Sequence, residues 1–146
     1  MHNNEERFTS RVAVYLVLAK NDQVLLTLRQ NTGFADGFYG LASGHVEEGE
    51  TIEHAMIREA KEEIGILIEH DDLKFVHVMQ HQSQKHYIDF YFQCESFKGD
   101  PLNCEPEKCG DVRFFPKDKL PDNVIGNVRQ ALQLINIGSH YSEYGI

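Results

Sequence analysis

Between Gly44 and Ile66 the chain reads GHVEEGETIEHAMIREAKEEIGI, and no other stretch narrows the fold and the chemistry so far. Its periodicity predicts a helix from near Thr51 to Gly65, entered through a glycine loop that carries Glu50. At about 100° per residue, Glu59, Glu62 and Glu63 fall on one side of that helix, while Ile57, Ala60 and Ile64 form an apolar stripe about a third of a turn away. One side can pack; the other gathers negative charge.

Carboxylates three and four residues apart on a helix repel by roughly 0.2–0.5 kcal/mol a pair, and these sit toward the end where the macrodipole disfavours anions. Arg58 can satisfy only part of the cluster, and Lys61 lies on a different side. A hard divalent ion held by oxygen ligands would answer the rest, with Mg2+ or Mn2+ better suited than Zn2+. The alternative is a solvated acidic face, which is what an arbitrary Glu-x-x-Glu-Glu run usually is.

The spacing of the whole stretch separates the two readings. Gly44, Glu50, Arg58, Glu59, Glu62, Glu63, Gly65 and Ile66 match G-x5-E-x7-R-E-U-x-E-E-x-G-U, with U a bulky aliphatic residue; only Ala60 is smaller than the pattern prefers. Seven fixed letters coincide by chance at on the order of one start position in a billion. On these residues the chain resembles the Nudix hydrolases. The resemblance implies that Glu59, Glu62 and Glu63 ligate metal, that Arg58 orients them by ion pairing, and that the Gly44 carbonyl completes the metal shell. A bound ion would draw charge from phosphoryl oxygens and make a nucleophile of water. Glu50, at the start of the helix, is expected to pair with Arg58 in a structural role, with direct metal contact as the alternative. One departure stands out: many relatives have Pro-Gly-Gly where this chain has Ala42-Ser43-Gly44, so the loop is expected to be less rigid. His45, next in the chain, reads as a surface residue rather than a ligand.

At 146 residues the chain has the length of one domain and can bury a proper core, so a single domain over 1–146 is expected. A net charge of −9 argues against a nucleic-acid polymer held along a basic surface, yet allows a small phosphorylated substrate whose charge metal ions neutralise. No stretch has the roughly 20 apolar residues that cross a bilayer, and Met1–Thr9 is polar and acidic rather than a signal peptide. No membrane association and a cytoplasmic location are expected. Cys94, Cys104 and Cys109 suit a reducing compartment and read as ordinary thiols, not a zinc site.

Arg11–Leu18 and Val24–Arg29 should form a hairpin around the polar tetrad Lys20–Gln23, followed by a loop over Gln30–Gly37 and a short strand over Phe38–Ala42. Leu73–Gln80 and His86–Glu95 alternate as paired strands, Val112–Phe115 is a further strand, and a second amphipathic helix runs between Asp122 and Gly138. Ser139–Ile146 is expected only as a docked end. This order points to an α/β (α+β) fold, a mixed sheet sandwiched between two helices. The Nudix fold is such an α/β/α sandwich.

Enzymes of this family often take a general base from a later loop or from the box itself. Glu105, in the acidic stretch Asn103–Cys109, is the first candidate, with Glu107 and Glu63 as the others; an exposed soluble loop is the alternative. That stretch resembles Nudix enzymes that convert nucleoside triphosphates to monophosphates and pyrophosphate. A (modified) purine NTP or dNTP is therefore the expected substrate, with ADP-ribose or nucleotide-sugar cleavage, or a non-catalytic nucleotide-binding regulator, as alternatives. Phe34, Phe38 or Tyr39 near the box loop, or Phe90 or Phe92 on the strands, could stack on a base, and Arg29 could reach a phosphate; core packing and a surface salt bridge explain them too. Many relatives are dimers, which leaves a homodimer open.

Overall fold

The computed structural model describes residues 6–146, so residues 1–5 of the expected polar N-terminal run lie outside it. β1 (Arg11–Lys20) and β2 (Gln23–Arg29) form the expected hairpin. Its turn is only Asn21 and Asp22, at φ 52° and 61°, the pair of left-handed residues that matches the right-handed twist of the strands. The single strand expected over Phe38–Ala42 is instead two, β3 (Tyr39–Gly40) and β4 (Ala42–His45). β3 pairs with β2 and β4 with β1, so the chain changes partner at Leu41 and delivers Ser43 and Gly44 beside β1.

α1 (Ile52–Ile64) follows, with the predicted boundaries. The Thr51 side chain accepts from the His54 amide at 3.1 Å, and Gly65 closes the helix at φ 71° with its amide on the Lys61 carbonyl. Ala55, Met56, Ala60 and Ile64 are all fully buried, and each large side chain so buried is worth about 1.5–3 kcal/mol. The small Ala60 thus lets α1 lie close on the sheet.

After a short turn at His70–Asp72 come β5 (Lys74–Gln82), β6 (His86–Cys94) and β7 (Cys109–Pro116), then α2 (Gly126–Asn136). β1 runs parallel to β6 from Arg11 to Leu18, β6 is antiparallel to β5, and β7 pairs with β2. The expected docked tail is in fact a strand, β8 (Tyr141–Tyr144), parallel to β5.

β1 is buried on both faces, which is why it reads as a nearly unbroken apolar run. Val14, Leu16 and Leu18 join the core beneath α1, while Val17 joins the core beneath α2 with Leu26, Tyr91, Val128 and Ala131. The mixed sheet is therefore filled on both sides by one helix each, the expected α/β/α sandwich. No helix among the described residues is long and apolar enough to cross a membrane.

Candidate active site

Arg58 is the hub of the acidic helix face. Its Nε and Nη2 grip Glu50 at 2.7 and 3.0 Å, its Nη1 reaches Glu59 at 2.8 Å and Glu62 at 3.3 Å, and Nη2 also donates to the His45 carbonyl at 3.1 Å. A planar guanidinium with its donors in a fixed fork can tie loop to helix in this way; an ammonium could not. The Arg58 bond holds the Glu50 carboxyl down at about 2, and the same contacts hold Arg58 above its usual range. Glu50 is thus a structural partner of Arg58, and its side chain is only 8% exposed.

Glu63 and Glu59 are in a different situation. Glu63 accepts from the Ser43 amide at 2.8 Å, yet burial, with the charges of Glu59 and Glu105 adding to it, pushes its carboxyl up to about 8. Burial also raises Glu59, against the pull of Arg58. A Cβ at Gly44 would overlap the Glu59 carboxyl, so only glycine lets that group lie against the loop. Glu62 is turned outward, with its side chain 56% exposed and held by Arg58.

Among the described residues no three carboxylate, histidine or cysteine side chains form a ready-made cage for an ion. The donor chemistry nevertheless fits a hard cation. Glu59 and Glu63 are carboxylates whose charge is disfavoured by burial first and by neighbouring carboxylates second, Glu62 and Glu105 for Glu59 and Glu59 and Glu105 for Glu63, and one arginine answers only part of it. Their oxygens, with those of Glu62 on the same helix face and the Gly44 backbone packed against Glu59, are of the type that Mg2+ and Mn2+ take.

The loop after β6 completes the site. The end of a helix leaves carbonyls without partners; here the Leu102 and Cys104 amides donate to the Ile64 and Glu63 carbonyls at 2.9 and 3.1 Å. The Asn103 side chain shapes the next turn, accepting from the Glu105 amide at 3.1 Å and donating to the Cys109 carbonyl at 2.8 Å. The Gln30 and Asn31 side chains donate to the Pro106 and Glu107 carbonyls. Glu105 consequently lines, with Glu63, Ser43, Arg29, Asn31 and Lys108, a cleft of about 330 Å3. Glu107 does not line it; only its carbonyl is used.

Arg29 enters the same cleft from the end of β2. Its Nε donates to the Phe34 carbonyl at 2.8 Å and its Nη2 to Thr32 Oγ1 at 3.1 Å, and its guanidinium lies 5.6 Å from the Phe34 ring centre. All are neutral partners, and among the described residues no carboxylate forms a salt bridge with it. The surface salt bridge weighed from the sequence is therefore absent there, and the charge is left to the cleft. Phe34 and Phe38 are exposed, at 51% and 45%. Tyr39 is placed elsewhere: it is 7% exposed, packs its ring edge-to-face on Phe115, and donates its hydroxyl to Asp111 at 2.7 Å. Its expected stacking on a substrate base is corrected to a role in the core, because the strand alternation after Phe38 turns it inward.

The Ser43 amide, which holds Glu63, and Asn31 and Lys108, which line the cleft, join the site without having been legible in the sequence. Backbone donors leave no mark in a sequence. Asn31, at φ 55° just past a strand end, left only a weak one.

With this geometry in view, comparison with known proteins is direct. The model of the NUDIX domain matches residues 8–134. The ADP-ribose pyrophosphatase of Methanocaldococcus jannaschii is 32% identical over 75% of this chain and 64% of its own length. The oxidized purine nucleoside triphosphate hydrolase of Danio rerio is 27% identical over 78% of this chain and 71% of its own. The NAD-capped RNA hydrolase NudC of Stutzerimonas stutzeri is 29% identical over 75% of this chain, which spans only 37% of that protein. The crystal structure of a MutT NUDIX hydrolase from Burkholderia pseudomallei superposes with a TM-score of 0.80 at 27% identity, covering 86% of this chain and 98% of that one. Box, sandwich and family model agree: the chain belongs to the Nudix hydrolase family.

Proposed function

We propose that this protein is a divalent-metal-dependent pyrophosphohydrolase that cleaves a nucleoside diphosphate linked to another group, with a purine or modified-purine NTP or dNTP, cut to the monophosphate and pyrophosphate, as its preferred substrate. The observation that carries the reading is the meeting of Glu63, Glu105 and Arg29 around one cleft at the end of the Nudix helix. Glu59, Glu62 and Glu63 would hold the ion, Mg2+ first and Mn2+ second, with the Gly44 carbonyl beside them. When bound, it supplies neutralisation of phosphate charge and a more acidic water.

The chain's own residues supply the rest. Arg58 fixes Glu59 and the box loop through Glu50 and His45. Arg29 and Lys108, which line the same cleft as Glu63 and Glu105, receive phosphate oxygens, and Phe34 offers an exposed ring for a base. Glu105 takes the proton as water oxygen bonds to phosphorus and the bridging P–O bond breaks, releasing pyrophosphate on the far side. A small-molecule nucleotide substrate and a cytosolic setting agree with the net charge of −9 and three free cysteines. The name of the Methanocaldococcus relative favours a second reading, ADP-ribose or nucleotide-sugar cleavage.

The test is a panel of dNTPs, oxidised dNTPs, ADP-ribose, nucleotide sugars and dinucleotides with Mg2+ or Mn2+, products resolved by chromatography. Release of monophosphate and pyrophosphate from a triphosphate is expected. Binding without product across the panel would make the protein a nucleotide-binding regulator instead.

A further inference from the structure

The core beneath α2 is not closed along the whole helix. Asn127, Val128 and Ala131 are buried, but from Leu132 onward no residue of α2 is, and Leu132 and Ile135 are only half-buried. Under these last turns lies a cavity of about 220 Å3. Its floor is Val17 of β1 and Val24 of β2, at 3% and 1% exposure, so it reaches the core instead of denting the surface. Leu120, Leu132 and Ile135 complete an apolar wall. Protein interiors pack as densely as organic crystals, and an open apolar hollow over core residues is the ordinary form of a small-molecule site. The cavity shares no residue with the cleft that holds Glu63 and Glu105.

The polar groups gather at its mouth. Lys117, Gln133 and Asn136 line the cavity and are exposed. Gln93 lines it too, with Nε2 donated to Glu95 Oε1 at 3.0 Å, but no carboxylate side chain does. Lys117 follows the end of β7, where its amide donates to the Asp22 carbonyl and the Lys119 amide to the Pro116 carbonyl, both at 3.0 Å. That turn ties the Lys117 backbone to the β1–β2 hairpin and fixes the root of its side chain at the mouth. Lys117 forms no salt bridge among the described residues. An apolar floor, amide groups and one unpaired cation select a ligand with an apolar body and an anionic head.

We propose that this cavity binds a small monocarboxylate. Size sets the body: an apolar cavity of about 150 Å3 takes a benzene-sized molecule, so this one takes roughly six to ten carbons. Charge sets the head: a cationic amphiphile would face Lys117 with a like charge, and a neutral one would leave it unpaired. The hydrocarbon covers Val17, Val24 and Leu132, and the carboxylate pairs with Lys117 and accepts from the Gln133 or Asn136 amide. The site does not depend on the pyrophosphohydrolase reading.

The test is a titration of the isotope-labelled protein with octanoate, octanamide and acetate, followed through the backbone amide shifts, on the wild type and on Lys117→Gln. Octanoate should saturate, with the largest shifts in the last turns of α2, at Val24 and over Lys117–Leu120. Octanamide should bind at the same place at least tenfold more weakly, and acetate should give no saturable shift. Lys117→Gln, a change at an exposed side chain, should bind octanoate only as weakly as octanamide while its affinity for octanamide stays the same. Octanoate affinity that is unmoved by Lys117→Gln overturns the proposal. So do shifts centred on Ser43 and Glu105 instead of α2, the absence of saturable octanoate shifts, or acetate binding as tightly as octanoate.

Discussion

Gly44 is where backbone and chemistry meet most tightly. A methyl group there would occupy the space of the Glu59 carboxyl, so Gly44→Ala should displace that side chain and lower kcat/KM on the best substrate by roughly 10–100-fold, the range seen when a residue supporting metal ligands is lost. Gly33→Ala, where nothing lies within 4 Å, strains only its own positive φ and serves as the control; equal losses in both would argue against the Glu59 contact. Glu50 gives a pH signature. Its carboxyl is lowered from 4.5 to about 2 by Arg58, so its contribution to stability is complete above about pH 4.5 and is lost as pH falls toward 2. Thermal melts across that window should fall more steeply for the wild type than for Glu50→Gln. The pairing behind this was legible in the sequence, because the box spacing places Glu50 eight residues before Arg58 at the helix entry. The fate of Tyr39 was not, since an aromatic beside a loop looks the same whether it turns toward solvent or toward Phe115.

At the scale of elements, the helices and long strands were readable because their apolar period persists over many residues, and α1 begins at Thr51 and ends at Gly65, residue types with known capping chemistry. β8 was not, since four residues with two tyrosines carry too little pattern and its partner β5 is distant in sequence. Its importance is local and measurable. His77 is fully buried, with Nδ1 on the Ser139 carbonyl and Nε2 on Ser142 Oγ, both at 2.8 Å. Ser142→Ala leaves Nε2 buried without a partner, which costs about 1–3 kcal/mol and should lower Tm by roughly 3–10 °C in a scanning melt. An unchanged Tm would mean that β8 is not held through His77. The loop after β6 presents a related case. Asn103 closes the turn that aims Glu105, so Asn103→Ala should reduce kcat with little change in KM, and Glu105→Gln should reduce it further, by about 100-fold or more if Glu105 is the base. Full kcat in both variants would move the base to Glu63.

For the molecule as a whole, the packing beneath α1 sets the terms on which the site can exist. The sandwich buries one face of the helix, and β4 at Ser43 and the loop at Leu102 close over its last turn, so Glu63 is pressed into a place that its ordinary solvation would forbid. Folding alone therefore leaves electrostatic tension in the site, and a divalent ion that binds only the folded state should relieve it. At an ion concentration about 100 times the Kd, that linkage is worth about 2.7 kcal/mol. Millimolar Mg2+ or Mn2+ should then raise Tm by roughly 5–10 °C, whereas a monovalent salt of equal ionic strength should not. Glu63→Gln places a neutral amide of the same shape among Glu59, Glu105 and the Ser43 amide, so it removes the burial penalty on charge together with the ion's ligand. That variant should melt no lower than the metal-free wild type, lose most of the metal-induced rise, and turn over poorly. A Glu63→Gln protein that is destabilised without metal yet still gains the full rise would show that the carboxylate is a structural acceptor for Ser43 and that the ion is held elsewhere.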